Sequence, residues 1–327
     1  MNILVVGGAG YIGSHCVKKL ADEKYNIYVI DNLSKGHIQA VDKRAKFFCG
    51  DLCDNRFLNE FFKLNKIDAV IHFAAMSLVG ESVEKPLDYF RNNVIGMQLL
   101  LENMLKYDVK KIIFSSSAAV YGEPKNIPIT ENDETNPTSP YGESKLMMEK
   151  IMKWADKAYG IKYVALRYFN VAGAANDGSI GEVHIPETHL IPKILGVCLG
   201  KEELLTIYGN DYDTKDGTCI RDYIHIDDLI DAHILALKHL IDGGESKIYN
   251  LGSESGFSVK EILDATIKVT GINISYKIGD RRPGDPSILI ASSNKIKKEL
   301  KWIPKKTEIE DCISSAWEFH KKHKQGF

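Results

Sequence analysis

The sequence predicts an α/β protein with a doubly wound parallel sheet and a second, smaller lobe. As far as Asn170, short apolar segments alternate with segments of helical periodicity, which is typical of βαβ units with helices on both faces of a sheet. Beyond Asn170 the elements become shorter and the connections richer in Gly, Asp, His and Pro. We therefore place a first domain at residues 1–172 and a second at residues 173–327.

The apolar segments of the first domain predict buried strands at residues 3–6, 27–30, 46–49, 69–73, 111–115 and 163–166. The segments between them predict helices at residues 11–23, 55–64, 87–106 and 141–159. The second domain contains shorter elements at residues 204–208, 227–239 and 259–268 and a late helix at 309–322. The boundary is soft, because residues 248–251 also look like a buried strand and could rejoin the first sheet.

A glycine-rich turn follows the first predicted strand and precedes the first predicted helix. Its glycines are Gly7, Gly10 and Gly13. This placement is typical of Rossmann-type folds, in which such a turn lets the backbone approach a dinucleotide pyrophosphate at a helix N-terminus. Asp31 ends the second strand, where its carboxylate can bind a ribose diol, and this favours NAD over NADP. The alternative is a structural turn with a surface aspartate.

Further candidate residues end the third and fourth strands, at the edge where open parallel sheets bind ligands. Asp51 and Leu52 close the third strand, and Phe73 to Ala75 close the fourth. We expect contacts with adenine and ribose there. For Asp51, an N-cap of the helix beginning at Asn55 is the alternative.

A Tyr-x-x-x-Lys pair predicts the chemistry. Tyr141 and Lys145 are four residues apart and so lie on one face of a helix. A lysine ammonium beside a phenol is expected to lower the phenol's pKa from about 10 and make it a useful base. Ser115 to Ser117 end the fifth strand, and one of these hydroxyls could bind the substrate oxygen. Taken singly, these residues could be turn serines, a core tyrosine and a solvated lysine.

Composition points to small-molecule partners. The 42 basic and 44 acidic residues are mixed along the chain, which argues against nucleic acid or an anionic membrane as partner. No apolar run approaches the ~18 residues of a membrane span, and the first residues lack the features of a secretory signal. We expect a cytoplasmic protein. The six cysteines are scattered and the histidines show no metal-binding pattern, so no metal is predicted.

Nearly the whole chain resembles the extended short-chain dehydrogenase/reductase family, and within it the UDP-hexose 4-epimerases. The superfamily is marked by residues 7–15 (GGAGYIGSH) and 115–122 (SSSAAVYG). More specific are residues 31–34 (DNLS), 79–86 (VGESVEKP), 166–170 (LRYFN), 209–212 (GNDY), 216–218 (DGT), 221–225 (RDYIH) and 281–285 (RRPGD).

The resemblance implies a mechanism and a set of site residues. Tyr141 would take the proton of the sugar 4-hydroxyl while C4 gives hydride to tightly bound NAD, and the 4-keto sugar would then take the hydride back on its other face. Ser117 would polarise the oxygen, and Lys145 would bond the nicotinamide ribose. Expected cofactor contacts are Gly7, Gly10, Tyr11, Ile12, Gly13, Asp31, Asn32, Asp51, Leu52, Phe73, Ala74, Ala75, Asn92, Ser115, Tyr141, Lys145 and Tyr168. Expected substrate contacts are Ser117, Tyr141, Asn170, His189, Leu190, Tyr208, Arg221, Arg282, Asp285 and Leu289.

Two departures from the family pattern affect these expectations. Ser77 stands where many relatives have a lysine, which removes one expected cofactor contact. Leu289 stands where some members have a bulky aromatic residue at the mouth of the sugar pocket. The smaller side chain extends the expected substrates from UDP-glucose and UDP-galactose to their N-acetylated counterparts.

Two other functions compete with epimerisation. A nucleotide-sugar 4,6-dehydratase shares the turn and the Tyr-x-x-x-Lys pair, but relatives of that kind carry Asp-Glu where this chain has Ala118 and Ala119. A dinucleotide sensor without chemistry would have no use for Ser117, Tyr141 and Lys145.

A homodimer is expected from the resemblance and from two helices with apolar stripes. The stripes consist of Phe90, Val94, Met97, Leu101 and Met104 on one helix and Met147, Met148, Ile151 and Ala155 on the other. Burial in the protein's own core is the alternative for such stripes.

Overall fold

The first domain is organised around a seven-stranded parallel sheet, as predicted. The computed structural model describes residues 1–282, 286–324 and 326–327. The sheet has the strand order β11-β6-β5-β4-β1-β2-β3. In chain order the strands are β1 (Asn2–Val6), β2 (Asn26–Asp31), β3 (Lys46–Cys49), β4 (Ala69–His72), β5 (Lys111–Ser115), β6 (Lys162–Tyr168), β7 (Asn170–Ala172), β8 (Leu205–Tyr208), β9 (Ile220–Arg221), β10 (Tyr223–His225), β11 (Lys247–Leu251), β12 (Phe257–Ser258), β13 (Tyr276–Gly279) and β14 (Ile288–Leu289).

Helices cover both faces of this sheet. They are α1 (Tyr11–Asp22), α2 (Asn55–Leu64), α3 (Val79–Glu84), α4 (Pro86–Tyr89), α5 (Gly96–Lys106), α6 (Pro140–Tyr159), α7 (Leu190–Cys198), α8 (Ile226–Ile241), α9 (Val259–Thr270), α10 (Asn294–Leu300) and α11 (Ile309–Lys322). One core packs α1 and α8 against the sheet, and a second packs α2, α5 and α6 against the opposite face. None of the helices in the described part of the chain combines the length and apolar content needed to cross a membrane.

Strand order reverses between β1 and β4, which creates the crevice where sheets of this kind bind ligands. The segment 248–251 does return to this sheet, since β11 pairs in parallel with β6. A separate core packs α7, α9 and α11 with β8 and β10 beyond the carboxyl ends of the strands. The domain limits at residues 172 and 173 stay a prediction, because the chain passes more than once between the seven-stranded sheet and the core of α7, α9 and α11.

The helix predicted over residues 87–106 is interrupted. A six-residue π-helical segment, Phe90–Ile95, separates α4 from α5. Its wider turn brings Asn93 inward, where this side chain is buried. The prediction of one regular helix was wrong because apolar periodicity does not distinguish a single π turn from an α turn.

The apolar stripes expected to form a dimer surface lie mainly in the second core. Met97, Leu101, Met104, Met148 and Ala155 are buried there, and Ile151 packs against them. Phe90 and Val94 are half-buried, and only Met147 is exposed. The stripes are therefore core residues, which was the stated alternative.

Candidate active site

The glycine turn is a cradle that a side chain would fill. Gly7 has φ +77°, and a Cβ there would lie 2.6 Å from the backbone nitrogen of Ala74. A Cβ on Gly13 would lie 2.0 Å from the Gly7 carbonyl oxygen. At Gly10 the nearest atom would be 3.4 Å away, so this residue faces more open space. The turn thus keeps the start of α1 accessible to a pyrophosphate, as NAD requires.

Three predicted ribose contacts are adjacent at the ends of β2 and β3. Asp31 accepts hydrogen bonds from the backbone N–H groups of Ala9 (3.0 Å) and Leu33 (2.8 Å). Burial raises the pKa of this carboxyl. Asn32 donates to Asp51 at 2.8 Å, so all three side chains share one edge of the sheet. The fit to an adenosine ribose is good, since these carboxylates retain lone pairs for further bonds.

The alternative role for Asp51 as an N-cap is wrong. Asp54 caps α2, because its side chain accepts from the N–H groups of Arg56 and Phe57. Asp51 instead accepts from the N–H of Cys53 at 2.7 Å and from Asn32. It therefore remains available as a candidate ligand residue.

The segment leaving β4 lies against the glycine turn. Phe73 and Ala74 both donate their N–H groups to the Val6 carbonyl, at 2.8 and 3.1 Å. Buried Asn93 then holds the next turn, accepting from the N–H of Met76 and donating to its carbonyl. Asn93 also receives a bond from the candidate residue Asn92. Sequence reasoning missed Asn93, and only its position beside Asn92 pointed to it.

Other predicted cofactor residues surround this crevice. Tyr11 donates its hydroxyl to the carbonyl of Gly173 at 2.7 Å and so joins α1 to the second lobe. Ile12 and Ala75 are half-buried and Leu52 is buried. Ser77, the departure noted above, is exposed.

Tyr141 and Ser117 meet at the carboxyl edge of the sheet. Ser139 caps α6, accepting from the N–H of Gly142 at 3.2 Å, and places Tyr141 in the first turn. The Tyr141 hydroxyl lies next to the Ser117 side chain, which opposes the rise of the phenol's pKa, and the Ser117 hydroxyl oxygen accepts from the N–H of Ala119 at 3.1 Å. A phenol and a hydroxyl in contact can share the proton of a substrate alcohol.

Lys145 lies beside this pair but does not act as expected. Its ammonium donates to the Ser115 carbonyl at 2.7 Å and lies 5.8 Å from the centre of the Tyr141 ring. Burial raises the pKa of Tyr141, and the opposing effect comes from the Ser117 side chain. Burial also lowers the pKa of Lys145 to about 7, although the Glu149 carboxylate opposes this. In this structure the expectation that Lys145 lowers the phenol's pKa is therefore wrong.

A buried ion pair that sequence reasoning missed stabilises the end of β5 beside the site. Arg167 donates to both carboxylate oxygens of Glu149, at 2.9 and 2.6 Å, and to the hydroxyl of Tyr121 at 2.8 Å. Ser116 donates to Glu149 at 2.5 Å. Glu149 lies one helical turn after Lys145 on α6, which was the available signal. The network fixes the strand end that carries Ser115 to Ser117.

His233 of α8 holds the other side of the strand end. Its Nδ1 donates to the Leu229 carbonyl at 2.9 Å, so its Nε2 accepts from Ser115, 3.0 Å away. The side chain of Tyr168 lies next to Ser115 as well, and its ring centre is 6.2 Å from that of His233. Two predicted cofactor residues, Ser115 and Tyr168, are thus brought together by a histidine that the sequence did not single out.

The other expected substrate residues follow β6, and apart from Asn170 they belong to the second domain. Asn170 begins β7, where it is paired in register with Tyr223 of β10. Leu289 is paired in register with Arg221 and packs on Val120 and Tyr121, just beyond Ser117. Leu289 and Arg221 therefore lie near the turn that follows Ser117.

The remaining substrate candidates lie further out. Arg282 lies over the ring of Tyr208, with its guanidinium carbon 4.2 Å from the ring centre. His189 precedes Leu190, the first residue of α7, and is half-exposed. Asp285 lies outside the described residues.

Comparison with known proteins identifies the family. A family model described as the NAD dependent epimerase/dehydratase family matches residues 3–252. The chain belongs to this family. A UDP-glucose 4-epimerase of Lactobacillus helveticus is 56% identical over 327 residues, covering 100% of this chain and 99% of that protein.

Solved structures of the family have the same fold. A UDP-glucose 4-epimerase from Bifidobacterium longum in complex with NAD+ and UDP is 40% identical, has a TM-score of 0.95 and covers 100% of both chains. The UDP-Glc/GlcNAc 4-epimerase from Campylobacter jejuni is 43% identical, with a TM-score of 0.85 over 98% of this chain and 99% of that one. Membership of this epimerase/dehydratase family fits the crevice between β1 and β4, the glycine cradle and the Tyr141–Ser117 pair.

Proposed function

We propose that this protein interconverts UDP-glucose and UDP-galactose by transient oxidation at C4 with tightly bound NAD. The single observation that carries the proposal is the proximity of Tyr141 and Ser117 beside buried Lys145, at the sheet edge that also carries the glycine cradle. The identity of 56% over the full chain to a UDP-glucose 4-epimerase supports the same substrate class.

Tyr141 is the proposed acid and base. With the substrate 4-hydroxyl between Tyr141 and Ser117, Ser117 orients the oxygen and Tyr141 takes its proton, then returns it when the sugar is reduced again. When bound, NAD would supply the acceptor for the hydride from C4 of the sugar and would return that hydride to the 4-keto sugar. Lys145, fixed on the Ser115 carbonyl, is placed to bind the nicotinamide ribose.

Exclusion of water follows from burial. Tyr141 sits at the N-terminal end of α6, and Ser115, Ser116 and Lys145 are buried around it. A 4-keto sugar held there is protected from side reactions, and the cofactor has no need to leave because no net oxidation occurs.

The second lobe is proposed to hold the nucleotide. Asn170, Arg221 and Arg282 would bind the diphosphate and sugar, together with Asp285, and guanidinium groups suit bidentate contact with diphosphate. Tyr208, Leu190 and His189 would line the uridine side.

We also propose activity on the N-acetylated substrates. Leu289 lies beside Arg221 and next to the turn that follows Ser117. A leucine leaves more room than a bulky aromatic residue for an acetamido group at C2. A relative that is 43% identical is described as acting on both plain and N-acetylated substrates, which supports the extension.

The dehydratase alternative lacks its acid. The family name covers both reactions, but Ala118 and Ala119 form the short turn directly after Ser117. Neither alanine can protonate a leaving hydroxyl, so elimination across C5 and C6 is not supported.

The test is an assay of the purified protein without added NAD. We expect UDP-galactose to be converted to UDP-glucose, and UDP-N-acetylglucosamine to its 4-epimer at saturating substrate. Formation of a stable 4-keto-6-deoxy product would favour the dehydratase, and no turnover of any of the four UDP-hexoses would favour a sensor. Turnover of UDP-galactose alone would contradict the N-acetyl extension.

Domain roles, location and assembly complete the proposal. We assign residues 1–172 to NAD binding and residues 173–327 to UDP-sugar binding, in a cytoplasmic homodimer. The dimer is argued from exposed side chains in the Discussion.

A further inference from the structure

Four potential metal ligands converge on the segment between β7 and α7. They are Glu182, His184, Glu187 and His189, and one donor atom from each lies within 4.8 Å of all the others. Zinc-bound nitrogen and oxygen atoms lie about 2.0–2.2 Å from the metal, so the ligands of a tetrahedral site are about 3.4 Å apart. The four donors need to move little to enclose one ion.

The two imidazoles turn Nδ1 towards the carboxylates. Nδ1 of His184 is 3.3 Å from Glu182 and 3.9 Å from Glu187. This nitrogen is shielded from solvent, yet it makes no hydrogen bond. Nδ1 of His189 contacts the same oxygen of Glu182. The ring planes of the two histidines are perpendicular, with centres 5.2 Å apart, so their donor atoms approach one point from different directions.

The carboxylates are held in place for a ligand role. One oxygen of Glu187 accepts from the N–H groups of Thr188 and His189, at 2.7 and 2.8 Å, and the other faces His184. Outer bonds of this kind orient metal ligands. Glu182 is only 5% exposed, and a carboxylate so buried requires a cation.

An ion pair between His189 and Glu182 neutralises only one of the two carboxylates. The Glu187 carboxylate lies 3.9 Å from Nδ1 of His184, too far for a hydrogen bond, so the second negative charge is poorly neutralised. A divalent cation bound by neutral imidazoles would neutralise both carboxylates.

We propose that Glu182, His184, Glu187 and His189 form a divalent-cation site, and that its two imidazole and two carboxylate donors fit Zn²⁺. Zinc takes four such ligands in tetrahedral geometry. Because the protein supplies all four ligands, the site is structural, and the metal keeps no open coordination position for a substrate.

The position of the site gives the metal a mechanical role. The segment 182–189 leads into α7 through His189 and Leu190. It also contacts the first domain, since His37 bonds the Val183 carbonyl at 3.2 Å and Lys35 donates to the Ile185 carbonyl at 3.4 Å. A bound ion would fix a segment that connects the edge following Asp31 with the nucleotide side of the second lobe.

The experiment titrates the untagged, NAD-containing protein with Zn²⁺ alone after treatment with a chelator, using a chromophoric chelator as competitor. We expect one Zn²⁺ per chain. His184→Ala and Glu187→Gln should each weaken binding by at least about 100-fold. His239→Ala is the matched control, because the side chain of this half-buried histidine bonds only the Glu245 carbonyl among the described residues, and the variant should bind Zn²⁺ like the unchanged protein.

Substitution with Co²⁺ identifies the ligand atoms. Nitrogen and oxygen ligands give only visible d–d bands, whereas a cysteine ligand adds a near-ultraviolet thiolate band. Far-ultraviolet circular dichroism and NAD content show that each variant is folded, and Glu187→Gln serves if His184→Ala does not fold. No binding in excess Zn²⁺, binding that both variants leave unchanged, or a thiolate band would each overturn the site.

Discussion

At the scale of single residues, the phenol of Tyr141 is the group on which the proposed reaction depends. Burial alone makes it a weaker acid than an ordinary tyrosine, and the Ser117 side chain only partly compensates. Without ligands the site is therefore poised with a protonated phenol.

The first prediction concerns removal of this hydroxyl. Tyr141→Phe should lower turnover of UDP-galactose by about 10²- to 10⁴-fold, the usual contribution of a positioned acid and base. NAD content should be unchanged, because the ring still fills its place in α6. Tyr159→Phe, at the exposed end of the same helix, is the control and should keep full activity. A Tyr141→Phe enzyme with more than about a tenth of the original rate would exclude Tyr141 as the base.

The second prediction concerns the size of residue 289. Leu289→Tyr should abolish turnover of UDP-N-acetylglucosamine while largely retaining that of UDP-glucose, because the larger ring would occupy the space proposed for the acetamido group. The ratio of the two kcat/KM values measures the effect. Ile288→Val, in the same short strand, is the control. An equal loss on both substrates would show that residue 289 affects the site as a whole.

At the scale of elements, the π-helical segment Phe90–Ile95 links the cofactor side to α6. Asn93 bonds both backbone groups of Met76 and donates to the Ser144 hydroxyl at 2.9 Å. Ser144 directly precedes Lys145 on α6. The wider turn therefore connects the segment after β4 with the helix that carries the proposed base.

The third prediction follows from this connection. Asn93→Ala would leave the backbone groups of Met76 and the hydroxyl of Ser144 without their hydrogen-bond partner. The variant should therefore lower the free energy of unfolding by about 2–3 kcal/mol. It should also speed the loss of NAD, because Met76 follows the predicted cofactor contacts. Urea unfolding and NAD content after gel filtration measure both effects. Gln98→Ala, an exposed position on α5, should change neither; if it behaves like Asn93→Ala, the π segment has no special role.

The elements predicted best from the sequence are those whose apolar residues follow a simple pattern. Parallel strands buried on both faces are continuous apolar runs, so β1 to β6 were found within a few residues. α7 was missed because it is short, largely apolar and contains Pro192. The π segment was missed because its inward residue is polar.

Some site residues could also be predicted from the sequence, and others could not. Groups that follow strand ends, such as Asp31 and Ser117, could be placed from topology, since parallel strands share one carboxyl edge. Contacts between distant parts of the chain could not, and Glu149 with Arg167 or His233 with Ser115 required the folded structure. The expected effect of Lys145 on Tyr141 failed because helical spacing gives a shared face but not the direction in which an ammonium points.

At the scale of the whole molecule, the proposed dimer surface must be assigned to a different set of residues. Most residues of the predicted stripes are buried, but Met147 and other apolar side chains of the same helices are exposed. Leu87 is 78% and Trp154 is 65% exposed, and Ile95 and Met147 are also exposed. These residues come from α4, the π segment and α6, which contact one another.

The fourth prediction tests this surface. Trp154→Glu and Leu87→Glu should each convert the dimer to a monomer, because a charge would be buried in an apolar interface. Light scattering gives the mass. Ile303→Glu is the matched control, since this residue is 72% exposed but adjoins Trp302 in the core on the opposite face of the sheet. A monomeric unchanged protein, or a dimer that both glutamates leave intact, would reject the interface.

The fifth prediction concerns stability in acid. His15, His72, His225 and His233 are buried. Burial lowers the pKa of His72 to about 3 and of the other three to about 4. In the unfolded chain these groups take up protons near pH 6.5. Between pH 6.5 and 5 the unfolded state therefore binds more protons, and the free energy of unfolding must fall as the pH falls.

The size of this fall distinguishes buried histidines from ordinary acid sensitivity. Burial also lowers the pKa of His320 to about 4, so five protons taken up together correspond to as much as about 7 kcal/mol per pH unit. Urea unfolding across this range, with a chelator present, should show that slope. His233→Asn should reduce it by about one fifth, since one of five protons is lost, whereas His239→Ala, at a half-buried position, should leave it unchanged. A free energy of unfolding that stays constant from pH 6.5 to 5 would mean that these histidines are charged in the folded protein, and the neutral His233 that accepts from Ser115 would have to be abandoned.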